Sequence, residues 1–141
     1  MDIIDDFRGP YSFLSNFFPA KVLLDGYEFA SVEHAYQAAK TFDAAQRALI
    51  ACTKSPVSAK RLGRKITMRP DWDRVKESVM LDLLRQKFQI PQLRQYLLET
   101  HNARLIEGNW WNDTYWGVCN GKGLNRLGVL LMQIRGEIQH Q

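Results

Sequence analysis

Two periods of hydrophobic and polar residues succeed one another along this chain, and each predicts its own elements. In KVLLDGYEF, residues 21–29, two short apolar or aromatic segments flank Asp25-Gly26, a pair suited to the positive φ angles of a tight turn. Strands are expected over 21–24 and 27–29, joined as a hairpin. The spacing then becomes helical over 43–51, over 56–62 with Pro56 in the first turn, and over 71–88 with Trp72, Val75, Val79, Leu83 and Leu84 on one face. Pro91 restarts a helix that runs to 99. A short extended piece, RLIEG, leads into an irregular loop over 109–123, and a last helix is expected over 124–138 with Leu127, Leu130, Leu131, Ile134 and Ile138 inward. No repeat, linker or low-complexity tract interrupts the pattern. It predicts a mainly helical α+β fold, one domain over residues 1–141, with a small sheet near the N-terminus.

The segment SVEHAYQAAK, residues 31–40, needs separate treatment. Wound at about 100° per residue, it sets Glu33, Tyr36, Gln37 and Lys40 in one stripe and Val32, Ala35, Ala39 and Phe42 on the opposite side. The stripe is either the wet side of an amphipathic helix or the wall of a site. Ser31 suits an N-cap, but Glu33 falls one residue early for a capping box, which leaves the acid at the positive end of the helix dipole. In a site, Glu33 would act on a water or a developing cation, and Lys40, two turns on, would offer an amine or a positive charge to the same ligand.

Composition narrows the classes. A chain of 141 residues, 45% of them hydrophobic, is long enough for a core without staples, since such a domain buries roughly 68–70% of its unfolded surface. Cys52 and Cys119 form no C-x-x-C pair, and His34, His101 and His140 have no partners at ligand spacing, so neither a disulfide framework nor a metal nor any cofactor is expected. The start, MDIIDDFRGPY, lacks the regions of a secretion signal and no apolar run approaches a membrane span, so the expectation is a cytoplasmic protein without a membrane partner. The balance of 19 Lys and Arg against 15 Asp and Glu, net +4, favours anionic partners, whether phosphate on a small molecule or nucleic acid. It leaves the oligomeric state open.

Two further stretches carry chemistry. NWWNDTYWGVCNGKGLNRLG gathers Trp110, Trp111, Tyr115 and Trp116 beside Gly117, Gly121 and Gly123, just before a helix. Aromatic faces stack planar bases, and glycines let backbone N–H groups and a helix N-terminus approach phosphate. The spacing is neither a Walker A loop nor a dinucleotide fingerprint, and a Trp-rich core corner is the competing reading. Cys119, alone among glycines, reads as a small packed residue rather than a nucleophile. The second stretch, 54–69, holds six basic residues around a Gly63 turn. It reads as a solvated surface or half of a helix-turn-helix, with Arg64 and Lys65 as the pair placed to hold an anion.

Taken in order, FRGPYSFLSNFFP, SVEHAYQAAK, AKRLGR and DTYWGVCNGKGLNRLGVLLMQIR resemble the NADAR family, also called the YbiA-like N-glycosidase family; the blocks reach from residue 7 to 135. The resemblance implies a mainly helical α+β fold and cleavage of the bond between a ribose C1 and a base nitrogen. Members act on phosphoribosylamino intermediates of riboflavin synthesis, and others remove ADP-ribose from modified guanine in nucleic acid. Carried over by motif, the acid of S-x-E-H is Glu33, the lysine of Q-A-x-K is Lys40, and D-x-x-W-G supplies Asp113, Trp116 and Gly117; a second catalytic carboxylate is not obligatory, and Asp113 is the available candidate. The asparagines of S-N-F and G-x-N-x-L-G are Asn16 and Asn125. The same blocks and the loop before the third motif bring Arg8, Gly9, Phe17, His34, Tyr36, Gln37, Arg64, Trp110, Lys122 and Gly123 as substrate contacts. Where some members place an acid and a glycine after W-G, this chain has Val118 and Cys119.

The leading expectation is therefore an N-glycosidase on an ADP-ribosyl or phosphoribosyl substrate, with ADP-ribosylated DNA or RNA as a further partner class. A module that binds ADP-ribose or NAD without turnover is the alternative, and Glu33 separates the two, because a reader needs no general base. A regulator that binds nucleic acid through 54–69 is the third.

Overall fold

The computed structural model describes residues 2–141, and the fold is α+β and mainly helical. In chain order the elements are β1 Ile3–Ile4, a 3-10 helix Gly9–Leu14, β2 Pro19–Leu24, β3 Tyr27–Ser31, α1 Val32–Ala39, α2 Ala44–Ala51, α3 Pro56–Leu62 and α4 Trp72–Lys87. Then follow α5 Pro91–Leu98, β4 Arg104–Leu105, β5 Gly108–Asn109, β6 Val118–Cys119 and α6 Arg126–Gln139. The chain divides into two compact units, one Asn16–Lys87 and the other made of the segments up to Ser15 and from Phe88 onward. Among the described residues no helix is long and apolar enough to cross a membrane.

In the unit Asn16–Lys87, Asp25 and Gly26 both take positive φ, 50° and 85°, the geometry of a two-residue hairpin turn. The strands pair antiparallel with Leu24 opposite Tyr27 and Val22 opposite Phe29, and a register shift follows before Pro19 meets Ser31. Val22 and Phe29 both turn inward. Ser31 ends the hairpin and caps the next helix, its Oγ accepting the His34 N–H at 3.1 Å.

Helix α1 departs from its expected form. All eight of its residues are buried, because α2, α3, α4 and both strands of the hairpin pack around it. Of the two readings of the stripe, the wet side of an amphipathic helix is excluded for Glu33, Tyr36 and Gln37. The helix also stops at Ala39: Thr41 Oγ1 accepts the Asp43 N–H and Asp43 Oδ1 caps α2 by accepting the Gln46 N–H. Phe42, expected inward, therefore lies beyond the helix, 64% exposed, under the Arg69 guanidinium. Helix α4 buries Trp72, Met80, Leu83, Leu84 and Lys87, while Val75 and Val79 reach only half-burial.

The second unit contains two parallel pairings that the sequence pattern did not predict. Ile3 and Ile4 pair with Arg104 and Leu105, and Gly108 and Asn109 pair with Val118 and Cys119. Among the described residues three two-stranded sheets thus replace the one small sheet expected. Helix α6 buries the five apolar residues named above, but it starts at Arg126, not 124. Asn125 sits in the left-handed region at φ 52°, which breaks the helical path and leaves Leu124 exposed.

Candidate active site

The residues expected in a site divide between the two units. Asn16, Phe17, Glu33, His34, Tyr36, Gln37, Lys40 and Arg64 belong to Asn16–Lys87, and the others belong to the second unit.

The first group is organised by α1. Glu33 stands in the first turn, where the positive end of the helix dipole favours a carboxylate, and its N–H donates to the Asn16 carbonyl at 3.1 Å. The residue is only 7% exposed. One turn on, the Gln37 Nε2 donates to Glu33 Oε1 at 3.1 Å and so fixes the carboxylate's direction. Gln37 is held in turn by Gly63. A Cβ at that position would run into the Gln37 carboxamide, although Gly63 itself has an ordinary helical φ of −60°. Its value lies in the missing side chain, not in backbone freedom. Gln37 Oε1 and Asn16 Oδ1 are buried without a hydrogen-bond partner.

Lys40 follows the helix. Its Nζ lies 5.5 Å from the centre of the Tyr36 ring, and that ring leans on Trp72 at 5.1 Å with a 58° tilt. Burial holds the amine below the usual lysine range; the Glu33 charge pulls it back up, and Lys60, Arg64 and Lys76 push it further down. Phe17 is partly exposed, with Lys60 Nζ 6.0 Å from its ring centre. His34 has a different task. Its Nε2 lies 3.1 Å from the Thr53 carbonyl oxygen, which only accepts, so Nε2 carries the proton and Nδ1 takes the Ser31 hydroxyl's hydrogen at 2.7 Å. Both ring nitrogens are engaged in holding the start of α1.

The second group is a loop built on Asp113. Its Oδ1 accepts the N–H groups of Tyr115 and Trp116 at 3.1 and 2.9 Å, an Asx turn that fixes the Trp116 backbone. Asn109 Nδ2 donates to the Asp113 carbonyl and to Glu107 Oε2, each at 2.9 Å. Gly117 has no room for a side chain, since a Cβ would meet Glu107 and Asn109, and a Cβ at Gly123 would meet the Gly117 carbonyl. Asn125 bridges the loop to β4, accepting the Glu107 N–H at 2.9 Å and donating to the Leu105 carbonyl at 2.9 Å. Lys122 is exposed and closes a backbone turn with Cys119.

The phosphate-binding role expected of the α6 N-terminus meets an obstacle. The N–H groups of Asn125, Arg126 and Leu127 already donate to the carbonyls of Gly117, Tyr115 and Trp116. The aromatic residues, in contrast, present surface: Trp110 is 69% exposed and makes an edge-on pair with Trp111 at 4.9 Å, which excludes a core corner for that pair. Arg8 stacks 4.8 Å over Trp110 and is itself held by two hydrogen bonds to Asp6, while Gly9 turns the chain at φ 58°. Among the described residues no three His, Cys, Asp or Glu side chains gather as a metal would require.

Reading the sequence did not single out Trp72, Glu107, Lys60 or Lys76. Trp72 falls on the core face of its helix, and the two lysines lie on other elements from Lys40, so no spacing connects them.

Three comparisons bear on this geometry. The NADAR domain model matches residues 5–139. N-glycosidase YbiA of Shigella flexneri is 43% identical over 132 residues, 91% of this chain and 82% of that protein. A protein of Vibrio vulnificus named for riboflavin biosynthesis is 35% identical over 133 residues, 92% of this chain but 36% of that one. Among solved structures, the NMR structure of Escherichia coli YbiA superposes with a TM-score of 0.86 at 40% identity, covering 99% of this chain and 87% of its own.

Proposed function

Because the chain belongs to the NADAR family, we propose that it is an N-glycosidase that hydrolyses the bond between a ribose C1 and a base nitrogen. The observation that carries this is the Glu33 carboxylate, buried at the start of α1 and aimed by the Gln37 amide. Breaking C1–N builds positive charge on the ribose ring, and a fixed carboxylate beside it stabilises that charge with little reorganisation. The same group takes a proton from the attacking water, whose oxygen bonds to C1 while the base departs with the pair of electrons and gains a proton. A module that only binds ADP-ribose has no use for an acid held in this way.

Lys40 sets a positive charge on the same side of α1. We assign it to the substrate's anionic or hydroxyl groups, and a Schiff base with the opened sugar aldehyde, formed with loss of water, is the competing role. Two substrate types fit the reaction: a phosphoribosylamino pyrimidine of the riboflavin route, favoured by the name of the Vibrio relative, and an ADP-ribosylated guanine in DNA or RNA, favoured by the outward-facing Trp110 and Trp111.

The test is parallel incubation with ADP-ribosylated guanine DNA and with the phosphoribosylamino pyrimidine, the released base followed by mass spectrometry. Glu33→Gln is expected to keep the fold and lower turnover by at least roughly 10²-fold on whichever is cleaved, the loss typical of a missing general base. Cleavage of neither, or full activity in the variant, refutes the proposal.

A further inference from the structure

The turn after α1 carries an aromatic ring that has no part in the core. Phe42, expected on the inner side of the helix, stands outward at 64% exposure, although a phenyl ring in water forfeits the gain of burial. The turn that presents it is fixed. Buried Thr41 donates through Oγ1 to Gln46 Oε1 at 3.0 Å and accepts the Asp43 N–H at 3.1 Å, while the Arg69 N–H donates to the Lys40 carbonyl at 2.6 Å. The chain is thus held where it presents the ring, two residues beyond Lys40 and on the continuation of the helix that carries Glu33.

Arg69 backs the ring, its Cζ 4.1 Å from the ring centre. This guanidinium is no phosphate hook, because its edges are engaged: Nε and Nη2 donate to Asp71 Oδ1 and Oδ2 at 2.6 and 2.9 Å, and Nη1 reaches the Ala39 carbonyl at 3.5 Å. It serves the ring as a planar support whose charge Asp71 offsets. With one side of the ring covered in this way, a residue that still shows 64% of its surface has its other side open. An aromatic face propped from behind is a stacking surface for another planar ring, and every nucleobase offers one.

We propose that Phe42, backed by Arg69, stacks a planar heteroaromatic ring of the substrate, so that the enzyme selects a base-bearing ribose over a ribose phosphate alone. The inference rests on the N-glycosidase reading, in which the scissile bond joins a ribose to such a ring, and it assigns part of the specificity to a residue other than Glu33 and Lys40. Two sources supply the ring: the base that leaves, and the adenine of an ADP-ribosyl group. Stacking requires no pattern of donors and acceptors, so Phe42 contributes affinity for a ring and leaves the choice among bases to other contacts.

The test is calorimetric binding of ADP-ribose, guanosine and ribose 5-phosphate to the parent and to Phe42→Ala, Phe42→Leu and Phe42→Trp. Because the side chain faces outward, all three variants should melt as the parent does. Phe42→Ala is expected to weaken binding of a ring-bearing compound by about 5- to 150-fold, the equivalent of roughly 1–3 kcal/mol per stacked base, and to leave ribose 5-phosphate within twofold. Phe42→Leu should recover little of that loss and Phe42→Trp all of it. A loss for ADP-ribose alone assigns the platform to adenine, for guanosine alone to the leaving base, and for both to either ring. The proposal is overturned if Phe42→Ala binds both ring compounds within twofold of the parent, or if the parent holds neither more tightly than ribose 5-phosphate. Parent-like binding by Phe42→Leu overturns it too, since the contact would then be merely apolar, as does self-association of the parent that Phe42→Ala abolishes, which would hand the ring to a second copy. Ring-dependent binding lost in Phe42→Ala, in a protein that cleaves no glycosidic bond, would sustain the platform and remove the reaction; cleavage with KM unchanged in Phe42→Ala would do the reverse.

Discussion

Gly63→Ala tests how Glu33 is aimed without touching Glu33. The backbone there has φ −60°, which alanine adopts freely, so the substitution carries no conformational strain and by itself stabilises by about 0.4–1 kcal/mol. What opposes it is the new methyl group, which occupies the place of the Gln37 carboxamide. The end of a glutamine side chain moves easily, so the overpacking cost falls at the low end of the usual range, about 1 kcal/mol. Net stability should change by less than about 1 kcal/mol, a shift of about 3 °C in Tm for a chain of this size. Catalysis should suffer more. Displacing Gln37 removes the Nε2–H hydrogen bond from Glu33, and a bond to a charged group contributes about 1.5–3 kcal/mol, or about 10- to 100-fold in kcat. The assay is base release at saturating substrate beside a melting curve on the same sample. A variant that melts as the parent does and turns over at the parent rate would show that Gln37 does not hold the catalytic carboxylate.

Three further outcomes are expected. Lys87 is buried at the end of α4, and burial lowers its pKa to about 7 from 10.5, so between these values the unfolded chain binds more protons and stability rises with pH; the melting temperature should climb from pH 7 to 10, and less steeply in Lys87→Met, parallel profiles refuting it. Asp113→Asn keeps an Oδ1 for the Tyr115 and Trp116 amides and should leave the loop's Trp fluorescence as it is, whereas Asp113→Ala should disturb it, and an unchanged spectrum in Asp113→Ala would refute the turn. Borohydride added during turnover should leave Lys40 unmodified, and a covalent sugar adduct found there by mass spectrometry would transfer the residue from electrostatics to Schiff-base chemistry.

The hairpin was legible because Asp25-Gly26 encodes its turn locally, and α3 because Pro56 and Gly63 bound it. Helix α1 was only half legible. Its spacing placed Glu33, Gln37 and Lys40 together, but periodicity treats a polar residue as a wet one, and here the Gln37 amide donates to Glu33 inside the unit. The same rule carried Phe42 into a helix that Thr41 and Asp43 had ended. The pairings of β1 with β4 and β5 with β6 join two residues across long stretches of chain, too few to produce an alternation. Gly63 carried no local signal of its part, since it is there for space and its backbone is ordinary.

That α1 has no wet side also determines how the protein should lose its activity. An amide on a helix surrounded by two strands and three other helices exchanges its hydrogen only when the surrounding unit opens, so α1 should be among the slowest segments to exchange. The carboxylate proposed for chemistry thus resides on a well-protected segment rather than on a loop that frays first. Heat should therefore leave no interval in which the protein is folded but inactive through loss of Glu33: inactivation and cooperative unfolding of Asn16–Lys87 would be a single event, seen at one temperature by both probes.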